Sequence, residues 1–290
     1  MKTYLDCIPC FLRQALEAAR AATGDEAIQR RVLDSVAAMI PELPLDVTPP
    51  EIAQQTYRLV RQITGNSDPY EHAKARDNQM VMDLYPRLKE AVAASQHPLL
   101  AACKLAIAGN SLDLGAPYSH SNFNPIIESV LDTPLAVDDY SEFRESILNS
   151  ARVLYLGDNA GEIVFDKLLI EELRRMGEFE IDFVVRERPV INDATRHDAL
   201  SIGLDRLAGI ISSGSDAPAT ILSQCSSEML ALYHSADTII AKGQGNYESL
   251  SGEHANIFFM LKAKCPVIAG LMNVDLGSAI LMRHKADTGG

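Results

Sequence analysis

The chain has 290 residues, 47% of them hydrophobic and 22% charged, with no biased tract, and at this length roughly 75% of the unfolded surface becomes buried. This excludes a disordered chain and a small scaffold that needs disulfides or a structural metal. The 26 Lys and Arg against 39 Asp and Glu leave a net charge of −13 with no basic block, which argues against nucleic-acid and anionic-membrane partners and requires a local cation or metal if the substrate is an anion.

At the start of the chain, Asp6, Arg13 and Glu17 interrupt any apolar run, so no export signal is expected, and no stretch of 18 apolar residues follows. The expectation is a cytoplasmic protein whose five cysteines, Cys7, Cys10, Cys103, Cys225 and Cys265, are free thiols. Cys10, Leu12, Ala15, Leu16 and Ala19 recur at helical spacing, and further helical runs follow at 26–40, 50–64 and 70–93, separated by the Pro-rich segment 41–51. In the last run Val81, Leu84, Leu88 and Val92 form an apolar stripe. The pattern predicts a helical subdomain over 1–105 and an α/β core over 106–290.

Beyond about residue 150, short apolar runs alternate with helix-length segments, the punctuation of βαβ units. Strands are predicted at 153–157, 181–185, 209–212, 238–241 and 267–270, with helices starting near Glu162, Ala194, Ala219 and Ser249. Residues 257–261 read as core. The fold class is α/β, a Rossmann-like three-layer α/β/α core with a mostly parallel sheet, on which the helical subdomain packs.

Ligands of an open parallel sheet sit beyond the C-terminal strand ends, and these ends are polar. The first is followed by Asp158, Asn159, Gly161 and Glu162, the second by Asn192, Asp193 and Thr195, the third by Ser213 and Ser215, and the fourth by Lys242, Gly243, Gly245 and Asn246. Asp158, Asn159 and Asp193 are hard oxygen donors suited to an octahedral divalent ion, Mg²⁺ or Mn²⁺, while affinity order admits Co²⁺ or Ni²⁺. Such an ion would bridge the acidic cleft to a phosphate, Lys242 would neutralise its remaining charge, and Gly243 and Gly245 would allow close approach of backbone N–H groups. Each segment alone also reads as a turn or helix cap.

The blocks DPYEHAK at 68–74 with Asn78, AGNSLD at 108–113, LGDNAGE at 156–162, VINDAT at 190–195 and AKGQGNYE at 241–248 together resemble the DUF89 family, the ARMT1-like damage-control phosphatases. Cys7 and Cys10 resemble the CxxC of its single-domain prokaryotic branch. The resemblance implies a helical subdomain on an α/β core and metal-dependent hydrolysis of small phosphate esters, damaged or unwanted sugar and cofactor phosphates. It implies Asp158, Asn159 and Asp193 as metal ligands, Lys242 as phosphate ligand, Glu162 near the metal or substrate, and Asn110 and Asp113 lining the cleft. Either a water attacks phosphorus directly or a carboxylate such as Asp158 forms a transient acyl phosphate.

Two competing readings are a protein carboxyl methyltransferase, disfavoured because residues 157–161 make a poor cofactor turn, and a non-catalytic phosphometabolite- or metal-binding protein. The CxxC reads as a redox pair, half of a soft-metal site, or core thiols. No HxH, HExxH or GxSxG occurs, and His197 reads as a solvated helix residue. No sequence stripe specifies an oligomeric state.

Overall fold

The computed structural model describes residues 1–109 and 123–284. Three amphipathic helices, α1 (Cys7–Ala22), α2 (Glu26–Met39) and α3 (Pro49–Thr64), enclose a small core in which Ala15, Ala18 and Ala19 let α1 approach Val32, Val36, Ile52 and Tyr57. Local signals set their ends. Asp25 caps α2 by accepting from Ala27 N at 2.8 Å, and α3 starts with a reciprocal Thr48–Glu51 capping box.

Helices α4 (Glu71–Ala94) and α5 (Pro98–Gly109) are also helical as predicted, but they belong to a different core. The stripe Val81, Leu84, Leu88 and Val92 packs with α5 and with the sheet, not with α1–α3. The packing therefore gives α1–α3 an apolar cluster of their own, which Tyr70, Val190 and Ile191 join, and places α4 and α5 in the cluster beside the sheet.

The remaining elements are α6 (Phe123–Asp132), β1 (Val137–Asp138), α7 (Tyr140–Leu148), β2 (Arg152–Leu156), α8 (Glu162–Met176), β3 (Glu180–Val185), α9 (Arg196–Ser201), β4 (Gly209–Ser212), α10 (Ser227–Ser235), β5 (Thr238–Lys242), α11 (Gly243–Leu250), β6 (Ile257–Lys262), α12 (Pro266–Met272) and β7 (Ala279–Arg283). They form one sheet in the order β1-β7-β6-β5-β2-β3-β4, parallel throughout except that β7 runs against β6 and, with β1, opposite to the others. Residue alternation makes the three layers. Val153, Tyr155, Phe258 and Met260 face α4, α5, α7 and α8, whereas Leu154, Leu156, Phe259 and Leu261 face α10, α11 and α12. At about 1.5–3 kcal/mol for each large apolar side chain buried, these two faces are the main source of stability.

Three predicted elements differ, and the first is the helix expected near Ala219, which begins eight residues later at Ser227. The segment 267–270 is helix, because Pro266 occupies the first helical position and an apolar run this short carries no decisive period. The strand in its place is β6, the run read only as core; all but its last residue are buried, so no polar alternation betrays it. The helix expected near Ser249 begins six residues earlier, directly at Gly243.

The chain leaves β2 toward β3 and β4 on one side, then returns to β5 on the other, so the topological switch point lies beyond the C-terminal end of β2. Among the described residues, no helix is long and apolar enough to cross a membrane.

Candidate active site

The segment after β2 and the segment after β3 are tied to each other at this switch point. Ala160 N donates to Asn192 O and Ala194 N to Asp158 O, both at 2.8 Å, and Asn159 and Asp193 form an antiparallel bridge. Backbone pairing thus brings together residues 32 to 36 positions apart in sequence. Asp158, Asn159 and Asp193 line one cavity of about 380 Å³, whose far wall is formed by α1, α3 and the segment after β6.

The donors have defined neighbours. Asn159 Nδ2 donates to Asp158 Oδ2 at 2.8 Å and to Glu162 Oε2 at 3.2 Å, so a cation would meet Asn159 through Oδ1. Arg186, buried at the end of β3, donates from Nε to Asp193 Oδ2 at 2.7 Å. Gly161 N donates at 2.6 Å to Asn78 Oδ1 of α4, and Asn78 Nδ2 reaches Asp198, whose carboxylate also caps Thr195. One buried polar chain from α4 therefore braces the loops after β2 and β3.

Burial pushes the Asp158 carboxyl well above the usual carboxylate range, and the charges of Glu162 and Asp193 push the same way; Arg186 and Lys264 offset part of this. Asp193 is also raised by burial, against the pull of Arg186. Carboxylates that resist ionisation because they are buried close to one another favour a bound cation. The set at the switch point is two carboxylates and a carboxamide, with Asp6 and Glu248 elsewhere on the cavity wall, and no cluster of three His, Cys, Asp or Glu side chains suited to a metal occurs among the described residues. The residues therefore fit an oxygen-preferring divalent ion that keeps waters or takes phosphate oxygens for its other positions.

Lys242 sits elsewhere than sequence reasoning suggests. Its side chain is fully buried beneath the cavity and its Nζ donates to Glu162 Oε1 at 2.7 Å, Asp166 Oδ1 at 2.6 Å and Ala106 O at 2.9 Å, which uses all three N–H groups. Burial alone would depress this ammonium, but Asp166 and Glu162 outweigh it and hold it protonated. Asp166, with Tyr155 donating to its Oδ1, is raised to about 6 by burial and by Glu162 despite Lys242.

Gly243, with φ +79°, lies against Asp158: a Cβ there would fall 2.0 Å from Asp158 Oδ2. It is a spacer for the carboxylate. Gly245 lines the cavity itself. Asn246 holds the turn, accepting from Thr220 N and donating to Lys242 O, both at 2.8 Å. Glu162 is buried between Asn159 and Lys242. Asn110 and Asp113 lie outside the described residues.

Four contributors escape the sequence motifs: Arg186, Asp166, Asp198 and Lys264. Asp166 lies one turn into α8 and Asp198 in the first turn of α9, where a carboxylate reads as surface or cap. Lys264 follows β6, and its place at a strand end is hidden when that run is taken as mere core. Cys7, Cys10 and Cys265 all line the cavity, and Cys103 is buried.

An open, mainly parallel sheet whose switch point carries buried oxygen donors defines a Rossmann-like α/β protein. The chain belongs to the ARMT1-like damage-control phosphatase family: the family's domain matches residues 3–280. It is 34% identical over 287 residues to a damage-control phosphatase of Pyrococcus horikoshii, covering 98% of this chain and 99% of that one. It is 33% identical over 283 residues to a damage-control phosphatase of Archaeoglobus fulgidus, covering 94% and 96%. The crystal structure of a DUF89 family protein from P. horikoshii superposes with a TM-score of 0.93 at 33% identity, over 98% of this chain and all of the other.

Proposed function

We propose that the protein is a divalent-metal-dependent phosphatase of small phosphate monoesters, with Asp158, Asn159 and Asp193 holding the ion. The observation that carries this is the backbone bridge that sets these three donors side by side in a cavity of about 380 Å³, large enough for a phosphate and a small organic moiety. Family membership and the names of the relatives support hydrolysis over methyl transfer or simple binding, and the segment after β2 offers an acidic turn where a nucleotide-like cofactor needs open glycine backbone.

When bound, the ion would polarise the phosphoryl oxygens and compensate charge in the transition state. Asp158 and Asp193 supply the anionic seat, and Arg186 fixes the rotamer of Asp193. Glu162 orients Asn159 through its Oε2, while Lys242 and Asp166 anchor Glu162 from below. The α1 and α3 wall narrows the cavity and limits water around the ester. The substrate class fits small sugar or cofactor phosphates, and the partner is a small molecule in the cytoplasm.

The test is phosphate release from p-nitrophenyl phosphate and a sugar-phosphate panel by chelated protein with Mg²⁺, Mn²⁺, Co²⁺ or Ni²⁺ restored separately. Release that requires a metal and is lost in Asp158→Ala is expected. Release unaffected by chelator, or retained in both Asp158→Ala and Asp193→Ala, would sink the proposal.

A further inference from the structure

One helix links the oxygen donors to the rest of the cavity wall. Helix α11 begins where β5 ends, and its first residue, Gly243, packs against Asp158. Gln244, Gly245 and Glu248 line the cavity, and residues four apart share a helix face. At 1.5 Å per residue, Glu248 lies about 7–8 Å along the axis from the turn that touches Asp158, a span that a phosphoryl group and its ester oxygen bridge.

The Glu248 carboxyl is held in one orientation. Its Oε1 accepts from Gln244 Nε2 at 2.8 Å, and the Gln244 amide is fixed in turn, because its Oε1 accepts from Lys264 N at 3.0 Å while Nε2 also reaches Cys265 Sγ at 3.5 Å. With Oε1 serving as acceptor, a proton on Glu248 sits at Oε2. Burial raises this carboxyl to about 7, and the Gln244 hydrogen bond and the amino-terminal ammonium of Met1 keep it from rising further. The other groups that face it are the Cys7 thiol of α1, pushed up by burial and by the Glu248 charge, and Glu51 of α3, which acts on the ammonium. Asp6, Arg13 and Lys264 line the same cavity.

Ester hydrolysis leaves a strongly basic alkoxide unless a proton meets it, and few groups here can supply one. Among the described residues, no His, Ser, Thr or Tyr lines the cavity. Asp158 and Asp193 form the seat of the ion, whereas Glu162 and Asp166 are tied to Lys242 beneath it. Asp6 is exposed at the start of α1, and a guanidinium such as Arg13 keeps its proton. Glu248 alone combines a partly buried carboxyl, a fixed orientation and protonation that changes near neutral pH.

We propose that Glu248 is the general acid of the reaction, giving the proton on Oε2 to the ester oxygen as it leaves phosphorus, and that Gln244 positions it. This rests on the phosphatase reading of the cavity. As the attacking oxygen bonds to phosphorus, the bond from phosphorus to the ester oxygen breaks with its electron pair on that oxygen. The Glu248 proton converts it to an alcohol, and the water consumed in the reaction returns a proton to the carboxylate.

The experiment measures kcat against pH for Mn²⁺-loaded wild type, Glu248→Gln, Glu248→Met and Glu248→Asp, on p-nitrophenyl phosphate, phenyl phosphate and the sugar phosphate turned over fastest. Nitrophenolate leaves without a proton, phenolate needs one more, and a sugar alkoxide most of all. The ratio of sugar-phosphate to p-nitrophenyl phosphate turnover is expected to fall about a hundredfold in Glu248→Gln, and the phenyl phosphate ratio by a smaller factor. Glu248→Met, which fills the same space with no polar group to bury, gives the same ordering should Glu248→Gln not fold. Glu248→Asp keeps an acid and recovers part of the ratio. In wild type, sugar-phosphate turnover declines as pH rises through about 7, and this limb is lost in Glu248→Gln. Equal losses on all three esters, or a ratio unchanged in both Glu248→Gln and Glu248→Met, would overturn the proposal. Wild type that cleaves p-nitrophenyl phosphate and no ester of a more basic alcohol would overturn the acid and leave the phosphatase reading in place. Wild type that releases phosphate from none of them would overturn both.

Discussion

The floor and the mouth of the cavity each hold a lysine beyond the end of a parallel strand, yet their physics differs. At the floor, Lys242 is fully buried among Glu162, Asp166 and the Ala106 carbonyl, and its charge is consumed by the fold. At the mouth, Lys264 is exposed on a pinned backbone beside the oxygen donors. The difference teaches that a lysine in a glycine-rich strand-end motif can have all its donors taken up inside the fold. A buried cation that satisfies two carboxylates is a structural element whose removal costs stability, whereas an exposed one on the rim of a cavity is within reach of what enters it.

The largest effect that would sharpen this contrast is at the donors. Asp158→Ala and Asp193→Ala are each expected to reduce turnover by about a thousandfold or more, through loss of transition-state charge compensation, while circular dichroism stays native. Melting is expected to stay native in Asp158→Ala, which removes one of several mutually repelling carboxylates, and to fall in Asp193→Ala, which leaves the buried Arg186 without its partner.

Next comes Lys242→Met, which leaves Glu162 and Asp166 buried without their cation and is expected to cost about 3–5 kcal/mol in urea unfolding. Adding Asp166→Leu should restore part of that loss, because the two residues are in contact and their effects are not additive. A Lys242→Met protein as stable as wild type would erase the distinction between floor and mouth.

Gly243→Ala tests the boundary between them. The new methyl group would meet Asp158 Oδ2 on a backbone of positive φ, which costs about 1–2 kcal/mol in conformation and also displaces the carboxylate. Metal affinity by titration is expected to fall more than stability does.

The smallest effect lies at the junction between α1–α3 and the core. Burial alone would raise the Asp216 carboxyl, but hydrogen bonds from Arg58 and Gln54 and the charges of Arg58 and Arg61 hold it at about 2. A depressed carboxyl stabilises the fold above its ordinary value of 3.8, and that contribution disappears as pH falls from 3.8 through about 2. Its size is at most about 2 kcal/mol after allowing for solvent screening at Arg58. Asp216→Asn should therefore flatten the acid limb of a stability-against-pH curve and leave the neutral plateau slightly lower.

The motif blocks are informative because they coincide with strand ends, where the chain must turn and where only certain residues fit. Asp158, Asn159 and Asp193 are legible for that reason. Asp166 and Asp198 are not, since a carboxylate within a helix becomes a site residue only when the opposing surface covers it. Cys7 and Cys10 are legible as a pair but not as cavity wall, a role that also involves Cys265 from the far end of the chain.

From the sequence alone come the helical first half, the alternation of strand and helix beyond residue 150, the mostly parallel sheet and the three oxygen donors, because periodicity and turn chemistry are local properties of the chain. The tertiary structure decides which core α4 and α5 join, that 257–262 and not 267–270 is the strand, and which of two lysines is buried. These outcomes depend on what lies opposite each residue in space, and burial is a property no local segment possesses by itself.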